Sequence, residues 1–426
     1  MTVFSSADAP FYTLDISRIL SRANARVPTG IDRVELEYAR YLCKHAPDRL
    51  EFAAAHPLRR FASLPFSKAQ AFIKAIGTLW DSGAEDGGQA ARLGNALLHG
   101  ILLPRRHNSA TEYAAGGRRS VYLLVSHHHL TRPELIAVAI RRRNSLFVPM
   151  VHDLIPLEFP EYARDREPPR HRRRIETVVR YADAVLVPSD ATKRSLFPYF
   201  AQAGRKNVPI WPVPLGVHLR ATASADSAMV SNHLALQRTH PYFVCLGTIE
   251  GRKNHLLLLN LWRRLIEIHG AATPHLVIVG KRGWENEQVI DMLERSPKLK
   301  GIVEEHNSLP DTVVTSLLRG AKGLLFPSFS EGFGLPLAEA LALGTPVICS
   351  DIPVFHEIGR KTAIYLDPLD GSAWAHAIER LANLSRGNAP PTPIAPLETN
   401  QLLTWHQSIS RALSHINTLV QKSPTS

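Results

Sequence analysis

The chain has 426 residues, 45% of them apolar and 21% charged, an ordinary balance for a soluble globular protein long enough to build two domains with separate cores. Three widely spaced cysteines, Cys43, Cys245 and Cys349, exclude a disulfide framework and read as thiols in a reducing cytosol. The net charge of +12 is uneven: residues 1–215 carry 31 Lys and Arg against 20 Asp and Glu, and the remainder 19 against 18, so the first half is expected to face something anionic.

In chain order, the start has no basic n-region and no sustained apolar core, so no signal peptide is expected there. No stretch approaches the ~20 apolar residues of a membrane span. FYTLDIS reads as a strand, and TGIDRVELEYARYLCKH as a glycine turn leading into an amphipathic helix. Residues 60–118 interrupt the pattern. They read as a helical insertion, with Phe72, Ile73 and Trp80 at helical spacing. The alternation resumes with SVYLLVS, a helix around PELIAVAIRRR, LFVPMVHD, a helix around RRRIETVVRYA, DAVLVPS and DATKRSLFPYF. Such alternation predicts a parallel sheet covered on both faces. A linker is expected over 216–240. The second half repeats the pattern from YFVCLGTI to TPVICS. A proline-rich spacer follows at 386–396, and then a last helix over about 398–421. The domains are therefore expected at 1–215 and 241–396, with 397–426 a terminal helix that could return to the first.

The stretch PSFSEGFGLPLAEALALGTPVICSD, residues 327–351, carries the most chemistry. It reads as strand end, glycine loop, helix and strand, with Pro336 at the helix start and Gly344 as its C-terminal cap. Gly332 and Gly334 would let a ligand approach the backbone. The helix start offers free N–H groups to phosphate. Glu339, read as lying on the first turn, could accept hydrogen bonds from two vicinal hydroxyls, as an acidic residue does for ribose in dinucleotide sites. Glu331 would reach another part of the same ligand. LGTIEGRKNH, residues 246–255, puts Arg252 and Lys253 just after a strand, where two cations can neutralise a diphosphate. Asn254 reads as the cap of the next helix. His152 and Asp153 end a buried strand.

Together these residues resemble the E-x7-E motif of retaining glycosyltransferases of family 4, which have the GT-B fold of two Rossmann-like domains facing a cleft. Glu331, Gly332, Phe333, Gly334, Leu335, Pro336, Glu339 and Ala340 match the motif, and 247–254 is similar to the family's G-x-x-x-x-R-K-N pattern. Thr248 stands where some members have a further Arg. The resemblance implies that Glu339 holds the ribose, Glu331 contacts the donor sugar, 332–335 meet sugar and diphosphate, and Arg252 and Lys253 bind the diphosphate. It also places His152 at the transferred sugar and Gly30, in TGIDR, near the diphosphate. His152, Lys253 and Glu331 would then be the catalytic set.

The implied function is transfer of a hexose, mannose-like or glucose-like, from a nucleotide-diphosphate sugar to a glycan or lipid-linked glycan in polysaccharide biosynthesis. The implied course is front-face, with retained configuration, no cofactor and no metal; the chain has no Asp-x-Asp pair. A cytoplasmic location is expected. The basic runs 140–144 and 170–174 and an inserted Phe72, Ile73 and Trp80 face would add peripheral attachment to an anionic inner leaflet. A catalytically silent GT-B scaffold or glycan-binding subunit is the alternative. A nicotinamide oxidoreductase lacks its G-x-G-x-x-G. No module for nucleic acid is present, so none is expected as a partner.

Overall fold

A computed structural model of the chain describes residues 9–56, 58, 60–83, 88–102, 119–218, 240–384 and 402–422. Most of the expected linker, all of the expected proline-rich spacer, and residues 84–87 and 103–118 of the expected insertion lie outside the described residues. The chain divides into two compact units. The first comprises 1–158, 165–216 and 405–426; the second comprises 159–164 and 217–404.

The first unit is built on a five-stranded sheet in the order β3-β2-β1-β4-β5. The strands are β1 (Phe11–Asp15), β2 (Leu50–His56), β3 (Arg60–Leu64), β4 (Ser120–Leu124) and β5 (Ser145–Pro149). β1 and β4 are buried along their whole length, because helices cover both faces and the sequence can be apolar throughout. β3 runs antiparallel to β2, with Phe52 opposite Leu64, so the edge departs from the all-parallel expectation. β6 (Val185–Val187) and β7 (Ile210–Pro212) form a short parallel pair. The bridge between Met150 and Leu186 continues the pairing from the end of β5 to β6.

The interruption after residue 60 thus begins with an edge strand, followed by two helices, Phe66–Ser82 and Gln89–Ile101. These helices do not offer an apolar face to a membrane. Phe72, Ile73 and Trp80 are all buried, and the Trp80 indole donates to the Ala25 carbonyl at 2.7 Å. Gly94 permits the close approach: a Cβ there would lie 2.7 Å from that of Ala23. The basic run 170–174 is also partly consumed. It lies in the helix Glu167–Tyr181 with His171 and Arg174 buried, and Arg174 pairs with Glu167 at 2.5 Å. The helix Trp405–Lys422 joins this unit. Its buried side is Ile409, Ala412, Leu413, Ile416 and Val420. Tyr12 donates to Asn417 at 2.6 Å, Tyr41 bonds Ser410 at 2.7 Å, and Ser408 donates to the Pro214 carbonyl at 2.6 Å.

The second unit carries a six-stranded parallel sheet in the order β10-β9-β8-β11-β12-β13. Its strands are β8 (Tyr242–Leu246), β9 (His275–Val279), β10 (Val303–His306), β11 (Gly323–Phe326), β12 (Val347–Ser350) and β13 (Ile364–Leu366). Phe243, Leu258, Trp262, Leu276, Leu325 and Trp374 share one core. The strand order reverses between β8 and β11, and ligands bind open α/β sheets at the carboxyl ends of the strands flanking such a reversal. Among the described residues no helix is long and apolar enough to cross a membrane.

Candidate active site

The loops leaving β8 and β11 carry the predicted charged residues. β8 stops at Gly247, whose φ of 141° favours glycine and whose missing Cβ leaves room for the Lys253 stem, 3.3 Å from where that Cβ would be. A short 3-10 turn, Gly251–Lys253, follows. Asn254 takes the left-handed conformation, φ 55°, which asparagine tolerates better than most residues. Its side chain does not cap the helix His255–His269, contrary to expectation. It donates instead to the Pro368 carbonyl at 2.9 Å.

From this turn Lys253 Nζ reaches Glu331 Oε1 at 2.5 Å, and Arg252 Nη1 reaches the same oxygen at 2.9 Å. Arg252 also donates to Glu250 at 2.5 Å and to the Ser330 carbonyl at 2.6 Å. Glu250, which sequence reasoning passed over, is therefore a fourth member: two cations and two carboxylates, all buried or nearly so. Burial pushes the Glu331 carboxyl up, but the Arg252 and Lys253 charges and the Lys253 hydrogen bond outweigh it and hold it at about 2. Burial dominates at Glu250 and raises it despite Arg252 and Lys253. Lys253 also lies 4.7 Å over the Phe326 ring, a contact that favours the cation.

After Glu331 the loop turns through Gly332 and buried Phe333 to Gly334. Gly334 sits at φ 113°, and a Cβ there would come 3.0 Å from the Phe355 ring. The helix Leu335–Ala342 begins directly after it, with Pro336 in its first turn. Gly344, φ 75°, closes the other end. Because the helix starts at Leu335, Glu339 is its fifth residue and stands on the second turn, not the first. Beside this, the 280–286 loop runs along 247–250: Ile249 and Arg282 bridge, and Gly280 packs on the Gly247 carbonyl.

His152 and Gly30 belong to the first unit. His152 is buried, and its Nε2 donates to the Val125 carbonyl at 2.8 Å. That bond fixes the proton on Nε2 of the neutral ring, and burial lowers the pKa below the usual histidine range. Gly30 is the first residue of the helix Gly30–His45. There Thr29 and Asp32 make a capping box, and Arg18 pairs with Asp32 at 2.6 Å. Sequence reasoning also missed the polar groups at this sheet's own reversal, between β1 and β4. Asp15 accepts from the Ser17 N–H at 2.9 Å and from Tyr122 at 2.8 Å. Glu35 accepts from the Ile19 N–H at 2.8 Å. Burial, then the Asp15 charge, pushes the Glu35 carboxyl up to about 8.

A family model, glycosyl transferases group 1, matches residues 240–383. Residues 240–383 are a glycosyltransferase domain of the family 4 type. The surrounding fold is GT-B: the crystal structure of HepE from Anabaena in complex with UDP covers 95% of this chain and 100% of its own, with a TM-score of 0.60 at 16% identity. The serotype-specific mannosyltransferase WbdA of Escherichia coli is 30% identical over 299 residues, 67% of this chain and 35% of WbdA. The O-antigen chain mannosyltransferase B of Escherichia coli is 33% identical over 141 residues, 33% of this chain and 36% of that protein. The chain thus spans about a third of the length of these curated relatives. Within the glycosyltransferase domain, Arg252, Lys253 and Glu331 form one ion cluster, and residues 332–335 lead from it into the helix bearing Glu339.

Proposed function

We propose that the chain transfers a hexose from a nucleotide-diphosphate sugar to a glycan or lipid-linked glycan in polysaccharide biosynthesis, with retained anomeric configuration and without a metal. The observation that carries this reading is the ion cluster of Arg252, Lys253 and Glu331 at the reversal of the second sheet. Two cations beside a helix start can take up the charge that grows on a leaving diphosphate, and such fixed charges act without reorganising as the bond breaks. The names of the relatives favour mannose, and the UDP in HepE favours a nucleotide beneath the sugar. Glu339 would hold the ribose hydroxyls. Phe333 is buried, so its part would be played by its backbone. His152, with its proton on Nε2, would present Nδ1 as an acceptor to a sugar hydroxyl. The basic excess of the first half would serve an anionic acceptor, including one at a membrane surface.

The test is a panel of GDP-mannose, UDP-glucose, ADP-glucose and dTDP-glucose, scored by thermal shift and by donor turnover with and without EDTA. One donor should raise the melting temperature and be turned over equally in EDTA, and Lys253→Ala should slow that turnover more than it weakens binding of the nucleoside monophosphate. Stabilisation by a donor with no turnover would favour the silent scaffold.

A further inference from the structure

Residues Phe159–Arg164 belong to the second unit although the chain on both sides of them belongs to the first. The excursion is tightly held. Pro160–Tyr162 is a single 3-10 turn, closed by the Ala163 N–H on the Pro160 carbonyl at 3.1 Å. The Tyr162 ring lies parallel to Phe329, centroids 5.7 Å apart and planes 3° apart. The Trp284 indole donates to the Tyr162 carbonyl at 2.8 Å. The Arg164 guanidinium lies 4.3 Å over that same indole. Gly251 lies beside the turn: a Cβ there would touch Tyr162 Cδ1 at an ordinary 3.6 Å and crowd the Glu285 carbonyl at 3.3 Å.

Phe329 is the point of leverage. Its N–H donates to the Arg252 carbonyl at 2.9 Å, and Arg252 Nη1 returns a bond to the Ser330 carbonyl at 2.6 Å. The next residue is Glu331. The loop carrying Glu331 is thus tied through its backbone to Arg252 and packed through the Phe329 ring against Tyr162. None of the three contacts of 159–164 is strong alone: a stacked pair, one indole hydrogen bond and one cation–π contact are each modest.

We propose that Phe159–Arg164 is a strap that positions the loop bearing Glu331, with Tyr162 and Trp284 as its positioning residues. The inference rests on the reading of 327–335 as the donor loop and adds residues that no motif marks. The strap sets the Phe329–Ser330 backbone, that backbone orients Arg252, and Arg252 and Glu331 stay in register for the diphosphate and the sugar. Losing the strap lets the loop open without unfolding the sheet beneath it.

Amide hydrogen exchange on the full chain reads the loop directly. Tyr162→Ala should speed exchange at residues 329–331 roughly three- to tenfold, while β8 and β11 keep wild-type protection. Tyr162→Phe keeps the stack and should exchange as wild type. Trp284→Phe keeps a ring beneath Arg164 but loses the indole N–H, and should fall between. If Tyr162→Ala does not purify, Tyr162→Leu takes its place. In donor turnover from the panel above, kcat should fall with the loop's protection while KM moves less. Unchanged exchange at 329–331 in Tyr162→Ala, or equal acceleration in Tyr162→Phe, overturns the strap. A wild-type chain that turns over no nucleotide sugar overturns the transfer reading alone, because the exchange comparison stands without it.

Discussion

Lys253 and Arg252 share one carboxylate oxygen of Glu331, so the diphosphate of the proposed donor would have to compete with that carboxylate for both cations. Glu331→Gln removes the competitor. The free nucleoside diphosphate should then bind several-fold tighter by titration calorimetry, on the scale of one charge-assisted hydrogen bond, while donor turnover falls at least about tenfold. Unchanged affinity would mean the two cations are not the diphosphate's partners. The same substitution has a pH signature. The Glu331 carboxyl is held at about 2 in the fold, below the unfolded carboxylate value of ~4.3. Its pairing therefore stabilises the protein above ~4.3, and this is lost as pH falls through the folded value. Breaking a buried pair costs roughly 3–5 kcal/mol, so the variant should melt several degrees lower at pH 7. The two melting curves should converge as pH approaches 2, and a constant gap would show that the pairing contributes nothing to stability.

Among the elements, a close backbone fit stands where β8 and β9 end together. A Cβ on Gly280 would lie 1.8 Å from the Gly247 carbonyl oxygen, and backbone cannot yield as a side-chain tip can. Gly280→Ala should destabilise the second unit by about 1–3 kcal/mol, the usual scale of overpacking, read as a lower urea midpoint. Gly301→Ala, with nothing within 4 Å of its Cβ, bears only the strain of its φ of 80° and should cost less. Equal midpoints would contradict the close fit. The second sheet was largely legible because most of its strands are short apolar runs, YFVCL, HLVIV, GLLF and VICS, bounded by glycine or proline. β2 was not. LEFAAAH has alanine at three of its seven positions and only weak strand propensity; it pairs because β1 lies beside it, with Leu14 opposite Phe52. β3 runs antiparallel because three residues separate it from β2, too few for the crossover a parallel pair needs. The charged core of the site was legible through spacing, but Glu250 and Tyr162 were not. Glu250 joins through a contact with Arg252 two residues away, and Tyr162 meets Phe329 only in the folded chain.

At the scale of the whole molecule, the two units keep separate cores, one around Phe147, Val178 and Phe200 and one around Phe243 and Trp262. Calorimetry should resolve two transitions. Deleting 405–422 uncovers the partners of Ile409, Leu413, Ile416 and Val420. At about 1.5–3 kcal/mol for each buried side chain and ~2–4 °C per kcal/mol, the first unit's transition should drop by ~10 °C or more while the second's stays put. A uniform drop of both would mean the units melt as one. The order of the segments along the chain also governs how the protein is made. A ribosome delivers 1–216 first, yet that unit cannot close its core until residue 422 has emerged. The second unit, whose sheet spans 242–366, is delivered whole before then and can fold as a unit. Tyr162 leaves the ribosome long before Trp284 and Phe329. The unit begun first is therefore finished last, and the strap must wait, unpaired, for partners not yet synthesised.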